Sequence, residues 1–172
     1  AFNSCSALKV FNSRGIKWVK NSGFSSCTSL LDFGPTTSLT NISDAAFSFC
    51  SSLDKELELT NPDLTKISRD AFIESKRIPS VIFGENVVSI GSKAFHKTYG
   101  LSNVVFRSNN VQFIDSTAFG GHGTKNDQNA AELSVYMTNV PASFKNIFAE
   151  THAQSGPTDE QIAAEETIVT MY

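Results

Sequence analysis

Hydrophobic positions along this chain recur at a long period, well beyond the periods of a single helix or strand. A small residue followed by Phe returns as Ala1-Phe2, Gly23-Phe24, Ala46-Phe47, Ala71-Phe72, Ala94-Phe95 and Ala118-Phe119, at spacings of 22, 23, 25, 23 and 24 residues. Other columns keep step with it. Five residues before each later Phe stand Val19, Ile42, Ile67, Ile90 and Ile114. Eight before it stand Ile16, Leu39, Leu64, Val87 and Val111. Six after it stand Leu8, Leu30, Leu53, Ile78 and Leu101. Three after it stand Cys5, Cys27 and Cys50, then Ser75 and Thr98. Aligned columns of this kind are the signature of a repeat array, in which one structural unit is stacked on the next.

Within each unit the Leu column leads into Phe11, Phe33, Leu57-Glu58-Leu59, Val81-Ile82-Phe83 or Val104-Val105-Phe106. The last three alternate apolar, variable, apolar, which predicts a short half-buried strand. The rest of the coil, through the Ile and Phe columns, is expected as a compact non-strand return with Ser- and Asn-rich turns. One coil cannot bury its own Phe and Ile. Stacking coils at the strand spacing of about 4.8 Å turns each column into a buried ladder. The expected class is an α/β-type repeat solenoid, with a parallel sheet of one short strand per coil and a C-terminal capping helix.

The period holds over 1–137, about six coils, and is interrupted by a polar insertion at 120–132. That insertion is expected to be a mobile surface loop. Leu133-Ser134-Val135-Tyr136 resumes as a last strand. The segment 138–172 is read as cap and tail. Pro141 to His152 carries Phe144, Ile147 and Phe148 at helical spacing and predicts the capping helix. The first copy begins at its Ala-Phe, without a polar cap. Repeats are therefore expected upstream, and the open first coil is expected to offer an end-to-end self-contact.

Composition and charge narrow the function classes. Phe occurs 14 times against three Tyr and one Trp, as one slot filled repeatedly by Phe requires. The net charge of -3, with both signs dispersed, gives no basic face for nucleic acid. Apolar runs are only a few residues long, so no membrane insertion is expected.

Candidate chemistry is sparse. Zinc needs ligands that converge tetrahedrally, whereas the three Cys lie along one column, so no metal or other cofactor is expected. They are predicted to be free buried thiols. Gly120-Gly121-His122-Gly123 lacks the strand-to-helix context of a phosphate cradle. No Ser or Cys sits at a nucleophile elbow, and no enzymatic role is expected. Asp44, Asp70 and Asp115 fall in turns, as caps. Trp18 and Phe113 occupy a column that is otherwise Asn41, Lys66 and Ser89. Phe113 is expected to pack beneath the insertion and Trp18 against preceding chain. The alternative is a pair of exposed ligand-contacting aromatics.

The unit, Leu-x-x-Ile-x-x-x-Ala-Phe-x-x-Cys-x-x-Leu-x-x-Val-x-Phe, resembles the BspA-like class of leucine-rich repeats. The match is best in Val87-Val88-Ser89-Ile90-Gly91-Ser92-Lys93-Ala94-Phe95. The resemblance covers about residues 1–137. It departs from the pattern where the usual Pro after the strand is missing and where the Cys column lapses after Cys50. It implies a curved solenoid without common enzymatic activity, often on bacterial or protist surfaces or secreted, used in adhesion. A fragment of such a protein, binding a protein or host-surface ligand, is the leading expectation. An intracellular scaffold is the alternative.

Strand residues between the buried columns should point out of the sheet in three rows. These are Asp32, Glu56, Ser80 and Asn103; then Gly34, Glu58, Ile82 and Val105; then Thr60, Gly84, Arg107 and Tyr136. The expected partner-binding residues are Glu56, Glu58, Ile82, Val105, Arg107 and Tyr136, an apolar centre with a polar rim.

Overall fold

The computed structural model describes residues 2–108, 111–121 and 133–137, together with the backbone of a strand at Thr167–Met171. The first coils contribute β1 (Val10–Phe11), β2 (Trp18–Val19), β3 (Asp32–Phe33), β4 (Asn41–Ile42), β5 (Leu57–Leu59) and β6 (Lys66–Ile67). The later ones contribute β7 (Ser80–Phe83), β8 (Ser89–Ile90), β9 (Asn103–Phe106), β10 (Phe113–Ile114), β11 (Leu133–Met137) and β12 (Thr167–Met171). Each coil therefore carries two strands, not one. The odd-numbered strands follow the predicted positions. The even-numbered ones form where a non-strand return was expected, because the polar residue and the Ile of that segment pair with the same two residues of the next coil.

The even strands make one unbroken parallel ladder, β2-β4-β6-β8-β10. The odd strands make a second, in which β1 pairs with β3 and β5 begins a separate run through β7, β9 and β11. The gap falls after β3, where Gly34-Pro35 leads into a 3-10 turn at Thr36–Ser38. Proline has no N–H to give a ladder. The Thr36 hydroxyl bridges the gap instead, donating to the Glu58 carbonyl at 2.9 Å.

β12 pairs antiparallel with β11, so a strand covers the last edge of the odd ladder. The described residues contain no α-helix, and the architecture they form is an all-β parallel solenoid rather than an α/β one. The helix expected over Pro141–His152 and the insertion from 122 to 132 lie outside the described residues.

The core is the set of columns read from the sequence. Phe47 and Phe72 are each 1% exposed. Phe2, Phe24, Phe47, Phe72, Phe95 and Phe119 form a single stack with ring centroids 5.0–5.5 Å apart, nearly parallel throughout. Coil spacing dictates this parallel stacking, at centroid separations that aromatic pairs commonly take. Phe11, Phe33 and Phe83 meet the stack edge-on. Burying each ring from Phe24 to Phe119 stabilises the fold by about 1.5–3 kcal/mol, whereas Phe2 at the end of the stack is exposed.

A third ladder runs through the turn around each motif Phe. The residues two before and two after it have left-handed backbone: Ser22 and Ser26, Ala45 and Phe49, Asp70 and Glu74, Lys93 and Lys97, at φ of 53 to 59°. Left-handed backbone costs an L-residue roughly 1–2 kcal/mol. The return is that alternate N–H groups aim at the next coil. The Ala45, Phe47 and Phe49 amides donate to the carbonyls of Arg69, Ala71 and Ile73 at 2.9, 2.7 and 2.8 Å.

The column three after Phe completes this turn. Cys27 Sγ, Cys50 Sγ, Ser75 Oγ and Thr98 Oγ1 donate to the carbonyls of Phe2, Phe24, Phe47 and Phe72 at 2.9, 3.1, 2.7 and 3.3 Å. The departure from Cys after Cys50 is thus no lapse. The slot requires a small hydrogen-bond donor, and thiol and hydroxyl both supply it.

Candidate functional site

Two outward-facing rows result, one on each ladder. On the odd ladder, register places Glu58 beside Ile82, Ile82 beside Val105, and Val105 beside Tyr136. Tyr136 therefore belongs to the Ile82–Val105 row, not to the row of Arg107 where the sequence placed it. Ile82 and Val105 are half-buried rather than exposed, because their cross-strand neighbours shield their flanks, while Tyr136 is 38% exposed. Glu56 precedes β5 and accepts a hydrogen bond from Ser80 Oγ. Arg107 follows β9 and is exposed. Asp32 lies across the gap after β3 and does not extend the row of Glu56. The residues brought together are Glu58, Ile82, Val105 and Tyr136, with Glu56 and Arg107 at the rim.

On the even ladder the outward row is Trp18, Asn41, Lys66, Ser89 and Phe113. Trp18 and Phe113 stand at its two ends and are 57% and 54% exposed, and the covers expected for them, the insertion over Phe113 and preceding chain over Trp18, lie outside the described residues. Their environments differ. Trp18 Nε1 donates to Ser43 Oγ at 2.9 Å, and Lys20 Nζ lies 5.3 Å from the ring centroid. Phe113 borders an open groove of about 460 Å³ lined by Asp44, Lys66, Arg69, Ser89, Gly91 and Ser92. Its floor is close-packed backbone: a Cβ at Gly91 would stand 2.9 Å from the Arg69 amide nitrogen. The groove lies between the columns six and three residues before the motif Phe. The sequence signal for it was Phe113 itself, an aromatic in a polar column.

Other candidates resolve into structural roles. Asp115 Oδ1 accepts hydrogen bonds from the Thr117 amide at 2.9 Å and the Thr117 hydroxyl at 2.6 Å, a turn cap as expected. Asp44 and Asp70 instead lie 3.9 and 3.5 Å from the exposed Arg69 guanidinium. The three cysteines are free. Burial raises the Cys27 thiol above its ordinary range. Cys50 is pushed up to about 12, by burial first and then by the neighbouring Cys27. Such thiols are poor nucleophiles at neutral pH.

His96 is packed beside Gly120 and Gly121. Burial, then Lys97 and Lys93, hold it below the usual histidine range. Its Nδ1 is buried without a hydrogen-bond partner among the described residues. Among the described residues no cluster of His, Cys, Asp and Glu could hold a metal ion, and no helix is long and apolar enough to cross a membrane.

The family model for the BspA type leucine rich repeat region matches residues 1–125 in six copies. No curated protein matches the chain. A crystal structure of a leucine rich cell surface protein from Faecalibacterium prausnitzii is similar over 63% of this chain and 35% of that one, at 22% sequence identity and a TM-score of 0.44. The chain thus spans about a third of the length of that protein.

Proposed function

Since the chain belongs to the BspA-type leucine-rich repeat family, we propose that it is a non-catalytic module binding a protein or host-surface ligand. We place it within a longer cell-surface or secreted repeat protein. The observation that carries this reading is the register of the odd ladder. It lines up Glu58, Ile82, Val105 and Tyr136 across four neighbouring strands, an apolar centre between an acidic side and the exposed Arg107. Binding patches are built this way, with an aromatic anchor and a polar rim. The adhesive role and the surface location follow the habit of the family.

The test is Ile82→Glu combined with Val105→Lys, both on the outward row. The double variant should keep the circular dichroism and melting curve of the parent. It should lose the partner that the parent retains in pull-down and that photo-crosslinking at Tyr136 identifies. Full binding by the folded variant would remove this face from consideration.

A second reading, an intracellular scaffold using the same face, is favoured by the three unbridged thiols, since oxidising compartments favour disulfides. Protease treatment of intact cells separates the two locations. Cleavage of the parent protein supports the surface, and complete protection supports the scaffold.

A further inference from the structure

The groove beside Phe113 lies on the even ladder, whereas the partner row lies on the odd one. Four observations describe what it could take. First, Phe113 is more than half exposed and among the described residues has no compensating contact like those of Trp18, at a position where its neighbour is Ser89 and the next along the row is Lys66. Leaving an aromatic ring in water forgoes about 1.5–3 kcal/mol of burial. Second, the ring borders hydroxyls, those of Ser89 and Ser92, over a backbone floor at Gly91. Third, two cations, Lys66 and Arg69, face one carboxylate, Asp44. Lys66 has no ion pair among the described residues, and Arg69 reaches its acids only at 3.5 and 3.9 Å. Fourth, the groove is open and its volume of about 460 Å³ falls within the ~300–1,000 Å³ range of small-ligand sites.

From these we infer that the Phe113 groove binds an acidic saccharide, a sugar unit bearing a carboxylate. The C–H face of a pyranose stacks on the Phe113 ring. Lys66 and Arg69 meet the carboxylate in charge-assisted contacts. Ser89, Ser92 and Asp44 exchange hydrogen bonds with the ring hydroxyls. A neutral sugar would leave Lys66 without a counter-charge. An extended acidic peptide fits less well. The even-ladder backbone groups are spent on neighbouring coils, as in the Gly91 to Ile67 and Asp115 to Ile90 bonds at 2.8 and 3.0 Å. The open edges of this ladder are those of β2 and β10 at its two ends, and peptide backbone groups lying along the groove over β6 and β8 would stay unpaired.

The experiment is calorimetric titration of the full chain with digalacturonate, neutral galactobiose and a pentaglutamate peptide, at low and high salt. Digalacturonate should bind, more weakly as salt rises. Phe113→Ala should weaken it about tenfold, the loss of one stacked ring. Lys66→Ala should weaken it about tenfold or more, the loss of a charge-assisted contact. Both positions are exposed, so melting curves should stay unchanged. The Ile82→Glu, Val105→Lys double variant should bind the sugar as the parent does, so the two faces stand or fall separately. The inference is overturned if digalacturonate does not bind or if galactobiose binds equally well. Pentaglutamate binding as tightly as digalacturonate overturns it too, as does parent-like affinity in Phe113→Ala.

Discussion

The two halves of a coil obey different rules. From the column eight before the motif Phe to the column six after it, the chain always takes the same number of steps: Ile16 to Leu30, Leu39 to Leu53, Leu64 to Ile78 and Val87 to Leu101. All variation in repeat length falls in the other half, between Leu8 and Ile16, Leu30 and Leu39, Leu53 and Leu64, Ile78 and Val87, and Leu101 and Val111. The invariant half holds the two-residue even strands, the left-handed turn and the Phe stack. An added residue there would take every N–H of the turn ladder out of line with its acceptor. The variable half holds the odd strands, which lengthen from two residues at β1 to five at β11. Extra residues there add to a strand or a loop without disturbing the stack. One half maintains the array, and the other is where its surface can change.

The comparison is most sharply broken in the stack. Phe72→Ala removes a ring packed between Phe47 and Phe95 and should cost roughly 3–5 kcal/mol in urea denaturation. It should also split the single transition into two, since each coil leans on its neighbours. Ile82→Ala on the half-buried outward row should cost only about 1 kcal/mol. Equal losses at the two positions would end the distinction.

Next in size is the donor column. Ser75→Val leaves the buried Phe47 carbonyl without the side-chain donor that now reaches it at 2.7 Å. That carbonyl keeps the Cys50 amide at 3.3 Å, so the expected cost is that of one net hydrogen bond, about 0.5–1.5 kcal/mol. Ser75→Cys should cost much less, because Cys27 and Cys50 already fill the same slot. If Val were tolerated as well as Cys, the donor would not matter.

A smaller effect, opposite in sign, is expected at the left-handed positions. Lys93 has φ 54° and an exposed side chain. Lys93→Gly should raise stability by about 0.5 kcal/mol, the relief of left-handed backbone less the greater freedom of glycine in the unfolded chain. Ile82→Gly in the variable half should do the reverse. Melting temperatures of the two variants decide it.

The smallest effect is that of His96. Its folded-state value lies below the ordinary one, from burial first and then from Lys97 and Lys93, against the opposing pull of Glu74 and Asp70. The neutral imidazole is the native form. Its contribution is present above the ordinary histidine range and is lost as pH falls toward the depressed folded value. Denaturation curves across that window should show a fall in stability that His96→Gln flattens. An NMR titration giving His96 an ordinary or raised value would reverse the sign.

How far the sequence discloses these features depends on the half. The columns give the register of the coils and the burial of Phe47 and Phe72 directly, because each column is one slot repeated. The even ladder is not legible, since two residues such as Lys66-Ile67 are too few to show alternation. The left-handed turn is hidden because Ser, Ala, Phe, Asp, Glu and Lys occupy it in the earlier coils, and glycine stands there only at Gly121, two after Phe119. Tyr136 is misplaced by one row because the insertion separates β9 from β11, and no column carries the register across it. The groove is half legible. Phe113 stands out in its column, but Lys66, Arg69 and Ser92 come together only through stacking.

The turn ladder has a direction. At every coil its amides point toward the next coil in the chain and its carbonyls toward the one before, from Phe2 to Gly23 through Lys97 to Gly120. Peptide dipoles aligned in this way add, as they do along a helix axis. The turn ladder therefore carries an axial dipole of its own, transverse to the chain, while the amides flanking the even strands point the other way, as from Gly91 to Ile67 and from Asp115 to Ile90. Its positive pole is the end toward Phe119 and its negative pole the end toward Phe2. Two such ladders meeting end to end match amide to carbonyl only head to tail, the arrangement that continues the array.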